Sequence, residues 1–120
     1  NEFNYGKAEG KFFKEFIDDY PDLKLAIEQK MDFKFPDGES YTEINTRVLD
    51  LINELSQDTT LISHQGPIRA LVGDLLNIPV HLWYDMQIPY GEPIEIIKID
   101  QELYLNLERK LLKKIVRNIK

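Results

Sequence analysis

One short unit of the sequence, residues 60–76, constrains the fold more than any other part. Thr60–Ser63 is a largely apolar, β-branched run, and after His64-Gln65-Gly66 apolar residues recur at helical spacing as far as Leu76. A buried strand that leads directly into a helix is typical of α/β proteins, in which the carboxyl ends of strands open onto the ligand-binding crevice. We therefore expect an α/β fold with this unit at its functional edge.

The same unit predicts an anion site. A helix N-terminus offers free backbone N–H groups and the positive end of the helix dipole, which together favour phosphate. The imidazole of His64 stands at this point, and histidine can carry a positive charge near neutral pH. The alternative is that His64 only caps or packs at the end of the strand. His81, the only other histidine, has a surface or packing position, and two distant histidines make no metal signature.

Charge is distributed unevenly along the chain. The net charge is −6, yet residues 109–120 hold six of the 15 basic residues and none of the 21 acidic ones. The acidic remainder excludes nucleic-acid binding through bulk electrostatics. Residues 108–120 read as a basic amphipathic helix or tail, and we favour its docking on its own domain over a partner helix or an anionic membrane surface.

The chain has 120 residues and contains no cysteine. Disulfides, thiolate zinc sites and cysteine nucleophiles are therefore excluded, which fits a reducing compartment, and we expect a cytoplasmic protein. No apolar run is long enough to span a membrane. The sequence leaves the formation of a homo-oligomer open.

Several further elements can be predicted from local patterns. Apolar residues at helical spacing predict a helix over Glu9–Tyr20, and Ser40-Tyr-Thr-Glu43 is a capping box that opens another. Ile94–Ile99 reads as a strand. Leu103–Leu107 is either the hairpin partner of that strand or a helix.

Four stretches, in order, resemble the histidine phosphatase superfamily, also called the phosphoglycerate mutase-like family. They are Glu2–Gly10 (E-x-x-x-G-x-x-E-G), Tyr20-Pro21 followed by Phe35–Ser40 (Y-P…P-x-G-E-S), Arg47 on the next helix, and Leu61–Leu71 (x-x-S-H-x-G-x-I-R-A-L). The resemblance implies a three-layer fold with a mostly parallel central sheet and helices on both faces.

One departure from the family pattern is large. The family's first strand ends in an Arg-His-Gly motif whose histidine becomes phosphorylated, and residues 1–120 contain no such motif. The first strand therefore also looks missing. We expect residues 1–107 to be the C-terminal two-thirds of a histidine phosphatase domain within a larger parent protein. Residues 1–120 alone are predicted to be inactive.

The resemblance also implies roles for individual residues. Glu2 matches the family's proton donor to the leaving oxygen, and His64 matches the second active-site histidine, which stabilises the phosphoryl group electrostatically. Gln65 and Gly66 would supply backbone at the phosphate pocket. Substrate-binding cations are expected at Lys30 and Lys34. The positions read as structural are Glu39, Ser40, Arg47 and Arg69.

The implied function is hydrolysis of small phosphomonoesters through a phosphohistidine, with no metal or other cofactor. The segment between Glu9 and Pro36 is short, which favours a phosphatase because water can reach the phosphohistidine. Two alternatives stay open: a catalytically inactive relative that binds phosphate or a partner, and a phosphoglycerate mutase. In each active case the partner is a small phosphorylated substrate.

Overall fold

A computed structural model describes residues 2–29 and 31–119 of the chain, and within them the secondary structure is mixed α/β. Short 3-10 turns occupy Gly6–Ala8 and Val80–Asp85. The regular elements are α1 (Phe13–Asp18), α2 (Pro21–Glu28), α3 (Tyr41–Glu54), α4 (Gln65–Leu75), β1 (Glu95–Ile99), β2 (Glu102–Asn106) and α5 (Arg109–Val116).

The predicted helix over Glu9–Tyr20 is shorter in the structure and covers only α1. Gly10 has a φ of +73°, a left-handed conformation that cannot continue a right-handed helix, so α1 begins after it. Pro21 occupies the first turn of α2, where its missing N–H costs nothing.

The capping box at the start of α3 is confirmed. The Ser40 hydroxyl oxygen accepts a hydrogen bond of 3.2 Å from the backbone N–H of Glu43. A second oxygen nearby belongs to Asp32, whose carboxylate accepts from the Tyr41 backbone N–H at 3.0 Å. These contacts satisfy N–H groups that the first turn of a helix leaves without partners. They fix the start of α3, which packs along α4.

β1 and β2 form an antiparallel hairpin in which Ile97 lies opposite Tyr104. The hairpin partner was therefore the correct alternative for Leu103–Leu107. The connecting residues, Asp100 and Gln101, have φ values of 49° and 71°, as a two-residue hairpin turn requires. This hairpin is the only sheet in the described part of the chain, so a larger, mostly parallel sheet stays a prediction.

The buried strand predicted at Thr60–Ser63 is not formed. These residues are exposed and belong to no regular element, and Ile62 is 98% exposed. A strand exists only where a neighbour takes up its N–H and C=O groups. No other segment among residues 2–29 and 31–119 pairs with this one.

Phe3 is packed in the hydrophobic core, and this packing also positions Glu2, the residue before it. Phe3 makes edge-to-face contacts with Phe35 and Tyr41, at ring-centroid distances of 5.9 and 5.3 Å. The buried core comprises Phe3, Phe16, Leu23, Phe35, Tyr41, Ile44, Ala70, Val72, Trp83, Met86, Ile88 and Ile115.

α5 packs against this core. Ile115 is fully buried, and its carbonyl oxygen accepts a 2.9 Å hydrogen bond from the Gln87 backbone N–H. The Lys114 ammonium forms a 2.9 Å ion pair with Glu92. The basic tail therefore docks on its own acidic domain, as favoured from the sequence. Within the described ranges, no helix is long and apolar enough to cross a lipid bilayer.

Candidate active site

The site is built around the N-terminus of α4. His64 precedes the helix with extended backbone (φ −123°, ψ 169°), and the helix begins at Gln65, two residues before Pro67. Pro67 lacks an N–H, and the N–H groups of Gln65 and Gly66 donate to no other group in the described chain. Two backbone donors at the positive end of an 11-residue helix are therefore available to an anion.

Glu2 and His64 meet at the N-terminus of α4. The Nδ1 atom of His64 lies 3.9 Å from Oε2 of Glu2, with the two side chains 58% and 37% exposed. This distance is too long for a hydrogen bond, but it makes an ion pair when the imidazole is protonated. The other carboxylate oxygen of Glu2 accepts the Phe3 backbone N–H at 2.7 Å. An open, charge-bearing pair thus faces solvent beside the helix.

Glycine at position 66 permits this approach. A Cβ atom built on Gly66 would lie 2.6 Å from Oε1 of Glu2 and 3.4 Å from the Phe3 side chain. The first distance is far inside van der Waals contact, so any larger residue would displace the carboxylate. The structure thus brings together three of the predicted site residues, Glu2, His64 and Gly66.

The backbone of Glu2 is held from α3. The Nη2 atom of Arg47 donates to the Glu2 carbonyl oxygen at 3.2 Å, and the same guanidinium makes two hydrogen bonds of 3.0 and 3.1 Å to the Glu39 carboxylate. Glu39 also accepts from the Asn4 backbone N–H at 3.0 Å. Arg47 and Glu39, expected to be structural, form a salt bridge that fixes the position of Glu2.

Arg69 has more contacts than its structural interpretation from the sequence suggested. Its Nε atom donates to the Met86 carbonyl oxygen at 2.9 Å, and its guanidinium lies 5.5 Å from the centre of the Tyr84 ring. Arg69 also acts on Tyr41: burial raises the pKa of the Tyr41 hydroxyl, and Arg69 opposes this effect by lowering it. The sequence carried one indication of a place near the site: Arg69 follows Gln65 by about one helical turn, and the two residues therefore share a face of α4.

Tyr5 stands beside the carboxylate. Its ring stacks on Phe3 at a centroid distance of 5.0 Å. Burial raises the pKa of the Tyr5 hydroxyl above its ordinary value, and the negative charge of Glu2 raises it further. The hydroxyl therefore stays protonated and able to donate a hydrogen bond near Glu2.

Lys34, one of the two lysines predicted to bind substrate, is paired with a carboxylate away from this cluster. The Lys34 ammonium pairs with Glu43 at 2.9 Å, and this contact holds the pKa of the Glu43 carboxyl below its usual value. Lys30 lies outside the described residues. A cationic contribution from either residue therefore stays a prediction.

Two other cations, which the sequence analysis did not assign to the site, lie near Gln65. Lys114 of α5 and Arg117, the residue that follows α5, line a cavity of about 280 Å³ together with Gln65. The Gln65 side-chain amide donates to the Ile88 carbonyl oxygen at 3.4 Å, which orients it along this cavity. No local sequence pattern links α5 to Gln65, because Gln65 and Lys114 are 49 positions apart.

Taken together, the cluster can bind an anion and exchange a proton with it. The α4 N–H groups and a protonated His64 would attract a phosphoryl oxygen, and the Glu2 carboxyl group could donate or accept a proton beside it. Among residues 2–29 and 31–119, no group of three or more histidine, cysteine, aspartate or glutamate side chains is placed to hold a metal ion.

Comparison with known proteins gives consistent matches. A family model described as the histidine phosphatase superfamily (branch 1) matches residues 1–105. The fructose-2,6-bisphosphatase of Saccharomyces cerevisiae is 27% identical over 107 residues, which cover 87% of this chain and 23% of the yeast protein. The human 6-phosphofructo-2-kinase/fructose-2,6-bisphosphatase 4 is 30% identical over 93 residues, covering 75% of this chain and 19% of that protein.

A further relative is the 6-phosphofructo-2-kinase/fructose-2,6-bisphosphatase of Aquarana catesbeiana, 29% identical over 122 aligned positions, covering 90% of this chain and 25% of the relative. The chain therefore spans a quarter or less of the length of these relatives.

Proposed function

The chain belongs to the histidine phosphatase superfamily, as its motifs predicted, and from this we propose that its parent protein is a phosphatase that hydrolyses small phosphomonoesters through a phosphohistidine. One observation supports this most strongly. The Glu2 carboxylate and the His64 imidazole meet, 3.9 Å apart, at the N-terminus of α4, where the backbone N–H groups of Gln65 and Gly66 are free. A proton donor and an anion-binding surface in contact are what cleavage of a phosphate ester requires.

In the first step, a histidine of the parent protein outside residues 1–120 attacks phosphorus. A nitrogen–phosphorus bond forms and the bond from phosphorus to the ester oxygen breaks. Glu2 donates its proton to the departing alkoxide. A protonated His64 and the N–H groups of Gln65 and Gly66 stabilise the negative charge on the phosphoryl oxygens. On this proposal, residues 1–120 alone have no activity.

In the second step, water attacks the phosphohistidine. The Glu2 carboxylate takes a proton from this water as the oxygen–phosphorus bond forms and the nitrogen–phosphorus bond breaks. Phosphate leaves, and Glu2 is again protonated. Glu2 thus serves first as an acid and then as a base. Both roles require a fixed position, which the hydrogen bond from Arg47 to the Glu2 carbonyl oxygen provides.

The substrate class follows from the relatives. Several are named fructose-2,6-bisphosphatases, so we propose sugar phosphates as the first substrates to test. We still propose Lys30 and Lys34 as substrate contacts. To bind substrate, the Lys34 ammonium would have to leave its ion pair with Glu43.

We also propose that residues 1–107 are the C-terminal part of a three-layer domain whose sheet is mostly parallel. The family match over residues 1–105 supports this boundary. The exposure of Leu61 and Ile62 supports the three-layer domain as well. Apolar side chains in water raise the free energy of the fold, and a neighbouring strand would cover them. Thr60–Ser63 would then pair with a strand from the rest of the parent protein.

Trapping the intermediate tests the proposed chemistry. The parent protein is mixed with a phosphate ester labelled with ³²P, quenched in alkali within milliseconds, and digested for peptide mapping. We expect label that survives alkali and is lost in acid, as a phosphorus–nitrogen bond predicts, on a histidine outside residues 1–120. A parallel quench in acid serves as the control. Label on His64, or label on a serine or aspartate peptide that survives the acid quench, would contradict the proposed roles.

A further inference from the structure

The two faces of α5 differ in what they contact. On one face, Ile115 is fully buried, and Leu111 and Val116 pack against the core. The other face carries four exposed cations, which we call the basic stripe: Arg109, Lys110, Lys113 and Arg117. Because successive residues of a helix are about 100° apart, these four positions lie within an arc of about 100°. The packed face keeps the helix from turning, so the basic stripe faces solvent.

The basic stripe has no partner in the part of the chain that the structure describes. Among residues 2–29 and 31–119, the one ion pair of α5 joins Lys114 to Glu92, and Lys114 does not belong to the stripe. No side chain of the stripe forms an ion pair or a hydrogen bond within the same ranges. The charge of Lys114 is therefore compensated by the fold, whereas the four charges of the stripe are not.

Folding alone gives no reason for this arrangement, because it opposes the stability of the helix. Like charges four residues apart repel each other, as Arg109 and Lys113 do, and Lys113 and Arg117. Arg109 and Lys110 also lie in the first turn, which contains no acidic residue and where the helix dipole disfavours cations. Features that oppose local stability are typical of functional sites, so we infer that the stripe binds a partner.

An exposed aromatic ring lies at one end of the stripe. Tyr90 is 89% exposed, and it lines the cavity of about 280 Å³ together with Arg117. Tyrosine and arginine are enriched among the residues that contribute most to protein–protein binding. The cavity has room for one side chain of a partner, and an aromatic one can stack on Tyr90 and contact the guanidinium of Arg117.

The charge of the remaining chain limits what this surface can bind. Residues 1–108 hold all 21 acidic residues and nine of the 15 basic ones, a net charge of −12. The stripe extends for only about 12 Å along the helix axis. A bilayer or a nucleic-acid duplex is wider than this and would also approach the acidic remainder of the domain, which repels it. A short acidic peptide can contact the stripe alone.

We propose that the basic stripe and Tyr90 form a docking surface for an acidic peptide segment of a partner protein. Several carboxylates of the segment would face the four cations, and one aromatic side chain would enter the cavity. This inference goes beyond the proposed phosphatase function and does not depend on it, because binding requires no reaction at Glu2 and His64.

The test is binding of a fluorescein-labelled peptide to the full-length parent protein, measured by fluorescence anisotropy. The peptide alternates glutamate with alanine around one central phenylalanine. The stripe variant, Arg109→Gln/Lys110→Gln/Lys113→Gln, removes three cations. A single exposed ion pair contributes little, so we expect the loss of three to raise the Kd by about 10-fold and to weaken its dependence on salt. Because glutamine favours helix and relieves the repulsion, the variant should unfold at no lower temperature than wild type.

Tyr90→Ala tests the aromatic contact separately. We expect the Kd to rise by about 5-fold or more, with the salt dependence of wild type, because no charge is lost. The matched control is Lys11→Gln/Lys14→Gln/Lys24→Gln, which removes the same charge from exposed positions in or beside α1 and α2. Its Kd should stay within about twofold of wild type.

The proposal is wrong if wild type does not bind the peptide, or if the Kd is equally affected in the stripe variant and in the control. It is also wrong if phosphatidylserine vesicles or duplex DNA bind in place of the peptide and are lost in the stripe variant. Loss of self-association in the stripe variant, measured by sedimentation, would assign the stripe to a second copy of the protein instead. Hydrolysis of p-nitrophenyl phosphate by the same wild-type preparation tests the proposed function independently.

Discussion

Replacing His64 with alanine in the parent protein should lower kcat/KM for phosphate monoesters by about 100- to 1,000-fold, the usual cost of removing one group that stabilises transition-state charge. The imidazole lies 3.9 Å from the Glu2 carboxylate, at the entrance to the free N–H groups of α4. Without it, the phosphoryl oxygens lose a cation, whereas the backbone donors remain. The loss should therefore be large but incomplete.

His81 offers a matched control, because it is the only other histidine of the chain and lies exposed on the 3-10 turn Val80–Asp85. His81→Ala should leave kcat/KM within about twofold of wild type, since surface changes away from a site have small effects. The measurement is the initial rate of aryl phosphate hydrolysis for both variants at matched thermal stability. Similar losses in the two variants would remove His64 from the site.

A second large effect is expected in stability, from Gly73→Ala within α4. Alanine normally stabilises a helix by about 1 kcal/mol relative to glycine. Here a Cβ atom would lie 2.4 Å from Nε1 of Trp83, and 2.5 and 2.7 Å from the ring carbons Cδ1 and Cε2. The ring is only 3% exposed, and its N–H donates to the Ile78 carbonyl oxygen at 2.7 Å, so it cannot move away freely. We expect a net loss of about 2 kcal/mol in the free energy of unfolding.

A double-mutant cycle with Trp83→Leu separates this clash from any other effect of the alanine. If the contact is responsible, Gly73→Ala should cost much less in the Trp83→Leu background, giving a coupling energy of about 1 kcal/mol or more. Chemical denaturation of the parent protein, followed on the phosphatase domain, provides the free energies. A Gly73→Ala variant as stable as wild type would refute the packing described for this helix.

Features that depend on residues three or four apart were predictable from the sequence. The Ser40–Glu43 capping box and the helix that follows His64 are both formed, because caps and helical periodicity are local properties. The hairpin of β1 and β2 also follows from two apolar runs and a short turn. Only the structure, however, decided between a strand and a helix at Leu103–Leu107.

Features that depend on distant residues were less accessible. The approach of Glu2 to Gly66 joins positions 64 apart and was expected only through family resemblance. The contact of α5 with the Gln65 cavity carried no local signal at all. The buried strand at Thr60–Ser63 was predicted from composition alone, but a strand is a property of a pair of segments, and no partner lies within the described residues.

We propose that the parent protein cleaves phosphate esters without a metal ion, at the site formed by Glu2, His64 and the N-terminus of α4. The most direct test is steady-state hydrolysis of p-nitrophenyl phosphate by the full-length protein in the presence of excess EDTA. We predict multiple turnovers at a rate that the chelator does not reduce. Absence of hydrolysis for every phosphate monoester tried, or complete loss of turnover on chelation, would contradict the account.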